Sequence, residues 1–109
     1  MRYTEKYKVN SLDVDTNNNM RPSLVLRYMQ ETADHQMRDR KPTYIDLFSE
    51  GKSFIITRIS IEIYDQINMY DEIEVSTWRC EEKAVTYIRC YMIERNGKIM
   101  AKAYSAWTI

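Results

Sequence analysis

The first residues of the chain alternate. Tyr3, Tyr7 and Val9 fall on one side and Arg2, Thr4, Lys6 and Lys8 on the other, the two-residue period of a strand with one buried face. From Ser11 to Asn19 the run Ser-Leu-Asp-Val-Asp-Thr-Asn-Asn-Asn gathers side chains that bond their own backbone, which predicts a polar loop. At Pro22 the period changes to three and four. Val25, Tyr28, Met29, Thr32, Ala33, Gln36 and Met37 share one face of a helix predicted over 22–39, about 27 Å long at the usual rise. Pro22 suits the first turn, and Pro42 lies past the end. A short helical turn is predicted around Tyr44 to Phe48, capped by Thr43, before Gly51. Four strands follow, over 53–64, 72–81, 84–95 and 98–109. The first sets Ile55, Thr57, Ile59, Ile61 and Ile63 against Phe54, Ile56, Arg58, Ser60 and Glu62. In the second, Ile73, Val75 and Thr77 oppose Trp78, and in the third Val85, Tyr87, Tyr91 and Ile93 share a face. Asn96-Gly97 predicts a tight hairpin between the last two strands. Trp78 and Trp107 are expected on adjacent antiparallel strands of one sheet.

The order is therefore strand, long helix, short turn and four antiparallel strands. It predicts the α+β class, with an antiparallel sheet of about five strands wrapped around one long central helix, the hot-dog fold. A cystatin-like fold shares part of this order, and periodicity does not separate the two. At 109 residues and 44% hydrophobic content the chain fits a single domain, 1–109, with a core that needs no staples.

The 16 basic and 16 acidic residues are spread along the chain, so no long-range field favours nucleic acid. Arg38, Arg40 and Lys41 read as a solvated helix end or as a local patch that meets an acidic protein. Cys80 and Cys90 lack CxxC spacing and neighbouring histidines, which suggests neither a zinc site nor a disulfide framework and fits a reducing cytoplasm. The amino end lacks the apolar run of a signal peptide, and no stretch reaches the roughly 18 apolar residues of a membrane span. With two glycines in the chain, phosphate-cradling loops are absent, and neither cofactor nor metal is expected.

Candidate chemistry concentrates between Asp13 and Glu31. Thioester hydrolysis needs a carboxylate to activate water or attack the carbonyl, donors for the developing oxyanion, and an apolar tunnel. Asp15, Asn17 and Asn19 precede the helix, and Glu31 borders its apolar stripe. The same residues are equally explained by a turn and by a Glu31 that pairs with solvent, Arg27 or His35. His35, the one histidine, lies four residues beyond Glu31 and is expected to form a surface pair with it. Seven methionines and nine tyrosines make an adaptable interior that suits an acyl chain and an ordinary core alike.

Several segments, taken in order, resemble the amino-terminal hot-dog domain of the plant and bacterial acyl–acyl-carrier-protein thioesterases. They are Tyr28-Met-Gln-Glu-Thr-Ala33, Ile59-Ser-Ile-Glu-Ile-Tyr64, Tyr70-Asp-Glu-Ile-Glu-Val-Ser-Thr-Trp78, Arg95-Asn-Gly-Lys98 and Ala103-Tyr-Ser-Ala-Trp-Thr108. The resemblance implies hydrolysis of a fatty acyl–acyl-carrier-protein by the complete protein, with catalytic Asp, Asn, His and Glu in a second hot-dog domain. Against that second-domain motif, Asp-x-Asn-x-His before the helix and Glu within it, this chain offers Asp15, Asn17 and Glu31. Asn19 stands at the histidine position, and asparagine does not carry a proton between water and leaving thiol. What the resemblance implies for this half is acyl-chain binding, with Tyr28, Met29, Thr32, Phe54 and Ile56 as lining, and pairing with a second hot-dog domain or as a homodimer. The alternative is a non-catalytic acyl-binding or dimerisation module. A hydratase on the same fold would need a histidine–acid pair at this loop.

Overall fold

In the computed structural model, residues 2–38, 49, 51, 55–83 and 86–108 are described. The predicted turn at 44–48, Arg40, Lys41, Phe54 and Val85 lie outside them. Alternation at the amino end produces β1 (Tyr3–Lys8), and a 3₁₀ turn at Ser11–Asp13 leads through the polar loop to α1 (Pro22–Arg38). The remaining strands are β2 (Ile55–Ile63), β3 (Glu72–Lys83), β4 (Thr86–Arg95) and β5 (Lys98–Thr108). All five form one antiparallel sheet in the order β1-β3-β4-β5-β2. Among the described residues this is the one long helix on a five-stranded antiparallel sheet that the sequence predicts.

The helix lies over the β1–β3–β4 half of the sheet. Val25, Met29 and Ala33 of α1 join Ile73, Val75, Tyr91, Ile93 and Ala101 in the core, all buried. Burying each large aliphatic side chain contributes roughly 1.5–3 kcal/mol. Towards β5 and β2 the cover thins, so Ile56, Ile59 and Ile63 remain 37–38% exposed.

Asn96 and Gly97 both take positive φ, 53° and 79°, which is what a two-residue hairpin turn with the twist of its strands requires. Three expectations need correction. Trp78 and Trp107 are not on adjacent strands, because β4 lies between β3 and β5. In a meander of hairpins, strands two apart always have the middle one between them. In β2 a register shift between Ile56 and Arg58 moves Ile56 to the side of Ile59, Ile61 and Ile63: it pairs with Trp107, while Ile55 pairs with Thr108. A bulge adds one residue and so flips the alternation behind it. Finally, Cys80 and Cys90 are joined in a disulfide. Motif spacing gave no sign of it, but a hairpin brings residues of its two arms together whatever their separation in sequence.

Candidate functional site

The loop before α1 is closed by its own side chains. Val14 and Met20 form an isolated bridge, and between them the Asp15 carboxylate accepts the backbone N–H of Asn17 at 2.8 Å and of Asn19 at 3.1 Å. Asn18, at φ 61°, accepts the N–H of Met69 on its side chain. Asn68 donates to the Asn18 carbonyl at 2.6 Å and to Asn19 Oδ1 at 3.3 Å. Asp15 thus closes the loop on itself, and Asn18 and Asn19 fasten it to the segment before β3.

Of the acids in this loop, the one that meets the helix is Asp13, outside the Asp15, Asn17, Asn19 and Glu31 set. Its Oδ2 accepts the Tyr28 hydroxyl at 2.5 Å and the Asn10 N–H at 3.2 Å. Burial, then the bond to Asp13, push the Tyr28 phenol up to about 12, so it stays a donor. The Tyr28 ring meets Tyr7 edge-on at 5.0 Å.

A second polar cluster ties β1 to α1. Glu5 accepts hydrogen bonds from Tyr3, from Tyr7 at 2.7 Å and from His35 Nδ1 at 2.7 Å. The expected pairing of His35 with Glu31 is therefore replaced by one with Glu5. The reason is visible in β1, where Glu5 falls by alternation between Tyr3 and Tyr7 on the helix-facing side. Burial raises the Glu5 carboxyl, but the bonds from Tyr3, Tyr7 and His35 outweigh it and hold it below the usual range. Buried Thr32 donates to the Tyr28 carbonyl at 2.8 Å and meets the Tyr7 hydroxyl at 2.9 Å.

Glu31 is exposed and stands about 13 Å along the helix axis from Pro22. The structure brings it together with Ile56, beside Arg27, Gln30, Ala33, Asp34 and Trp107, around an open groove of about 440 Å³. Met29 is fully buried in the core. Beyond Ala33 and Trp107, a cavity of about 30 Å³ runs under the end of the helix to Met37, Arg79, Tyr87, Ile88 and Arg89. That is water-sized and too small for an acyl chain as it stands. Buried Arg89 donates to Gln36 at 2.5 Å and to Thr77 at 3.2 Å, and both Arg79 and Arg89 donate to Met37 Sδ. Among the described residues, no group of three or more His, Cys, Asp or Glu is placed to hold a metal ion, and no helix is long and apolar enough to cross a membrane.

With Asp13 and Glu5 engaged, Asp34 and Glu31 share this groove, and Glu31 is an acid that combines solvent access with an apolar border. One helix set on a curled five-stranded antiparallel sheet, its uncovered flank lined by this acid and by isoleucines, defines a hot-dog domain. The chain belongs to the acyl-ACP thioesterase family of thioester hydrolases, the profile of the acyl-ACP thioesterase N-terminal domain matching residues 1–109. An acyl-ACP thioesterase from Bacteroides thetaiotaomicron is similar in structure at TM-score 0.92 and 19% identity, over 98% of this chain but 44% of its own. A 1,4-dihydroxy-2-naphthoyl-CoA thioesterase from Synechocystis matches at TM-score 0.89 and 15% identity, over 99% of this chain and 81% of its own. A probable thioesterase from Bartonella henselae matches at TM-score 0.89 and 13% identity, over 99% and 90%. No curated protein sequence matches.

Proposed function

We propose that this domain binds the acyl chain of an acyl–acyl-carrier-protein thioester in the trough between α1 and the β5–β2 edge, and that it works as one of a pair of hot-dog domains. The observation that carries this reading is β2. Its helix-facing isoleucines stay exposed, Ile59 and Ile63 at 38% each, and its outer edge pairs with no other described strand. The other edge of the sheet, β1, shows Lys6 and Lys8 to solvent, a composition that discourages strand addition. The apolar edge is therefore the one suited to a partner, either a second copy or a second hot-dog domain.

Within the site, Ile56 and Trp107 flank the groove, while Tyr28 and Thr32 hold the helix against β1 rather than touch the chain. Glu31 is the candidate for activating water. Asn19 lacks the proton-carrying capacity of histidine and Asp15 is engaged by the loop, so the isolated domain hydrolyses thioesters slowly. The losses correspond to the roughly 10²–10⁴ in rate that general acid–base assistance supplies. Thiol release from a medium-chain acyl thioester by wild type, Glu31→Gln and Asp15→Ala tests this. We expect near-background turnover in all three; rapid wild-type turnover abolished by either substitution would refute it. Binding of a fluorescent fatty acid, weakened by Ile56→Asp, tests the acyl site separately.

A further inference from the structure

We propose that the Cys80–Cys90 disulfide is a reversible redox element that sets how firmly the far half of the β3–β4 hairpin is held, without being required for the fold. Five observations converge on it. The bond joins strands that the ladder already pairs on both sides, from Glu74↔Glu94 to Arg79↔Arg89 and again from Glu81↔Ile88 to Lys83↔Thr86. With a sequence separation of only 10, it closes a loop the hairpin itself closes, so cutting it releases little additional chain freedom.

Cys80 also sits at the register shift between Arg79 and Glu81, an extra residue with no partner in the ladder. Cys80 is an exposed residue, the setting in which a dithiol attacks a disulfide sulfur. Finally, the residues preceding the two cysteines, Arg79 and Arg89, stand directly opposite each other, and both donate to Met37 Sδ in the last turn of α1. The covalent bond holds the two strands together at the bulge, where the ladder lacks a pair, and its loss lets them ease apart at this point.

The chemistry is thiol–disulfide exchange with a dithiol reductant. One thiolate of the reductant attacks the Cys80 sulfur, the Cys80–Cys90 bond breaks, and Cys90 leaves as a thiolate that takes up a proton. The second thiol of the reductant then displaces Cys80 from the mixed disulfide, also as a thiol. Two electrons pass to the protein, and the reductant departs as its own disulfide.

The test uses the whole chain isolated in air, with dithiothreitol as the probe. Alkylation should find no free thiol at first and, after dithiothreitol without denaturant, two thiols per chain from Cys80 and Cys90. Amide hydrogen exchange should then accelerate about tenfold or more at 79–83 and 86–90, while 73–77 and 91–94 keep their protection. The Cys80→Ser/Cys90→Ser variant should match the reduced protein with or without dithiothreitol. Free thiols in the air-isolated protein, reduction only after unfolding, loss of protection throughout the sheet, or unchanged protection at 79–90 would each overturn the proposal. The wild-type comparison decides the matter even if the double variant does not fold.

Discussion

Asp15 carries two backbone hydrogen bonds from Asn17 and Asn19, which gives it a structural task independent of any chemistry. Asp15→Ala should therefore lower stability by about 1 kcal/mol, read from denaturant unfolding, because a charged acceptor with two backbone donors is worth roughly that much even at an exposed site. Glu5 makes a different prediction. Its folded carboxyl titrates below the unfolded one, so it contributes stability above the unfolded value of about 4.5, and that contribution is lost as pH falls through the folded value. Stability of Glu5→Gln measured against pH should show a shallower acid limb than wild type, and identical limbs would count against the cluster. Asp15 and the asparagines were legible as turn formers, since such side chains bond locally wherever they fall. The partners of Asp13 and His35 were not, because Tyr28 and Glu5 lie 15 and 30 residues away. Only the tertiary fold sets those distances.

At the level of elements, periodicity located the helix and all five strands, since a core on one side imposes a period of 3.6 or 2 on the sequence above it. Val25, Met29, Thr32, Ala33, Gln36 and Met37 are buried as the helix pattern requires, and Tyr28 lies half-buried beside them. The bulge in β2 escaped because isoleucines stand at both 55 and 56, so the trace of the shift is only the pair of successive polar residues Thr57-Arg58. The turn at Asn96-Gly97 did not escape, and it yields a sharp expectation. No atom lies within 4 Å of a Cβ added at Gly97, so the cost expected for Gly97→Val rests on its φ of +79°. That strain should amount to about 1–2 kcal/mol and lower Tm by several degrees. An unchanged melting temperature would argue against the turn.

For the whole molecule, the uneven cover of the sheet is the controlling fact. A pair formed edge to edge along β2 would bury Ile59 and Ile63, whereas the lysine-bearing β1 edge would stay in water. Light scattering at micromolar concentration should therefore report a dimer for this chain, and Ile59→Asp should convert it to a folded monomer. A wild-type monomer would sink the prediction. The pairing of β1 also has a consequence during synthesis. Tyr3–Lys8 precedes the other four described strands along the chain, yet its neighbour in the sheet is β3, and Lys8 pairs with Glu72. On the ribosome this segment emerges with its aromatic side unsatisfied and waits through the helix and a further strand before its partner exists. Its alternating lysines keep it hydrated meanwhile, so a nascent chain stalled before residue 72 should be a ready client for chaperones that bind exposed aromatic segments.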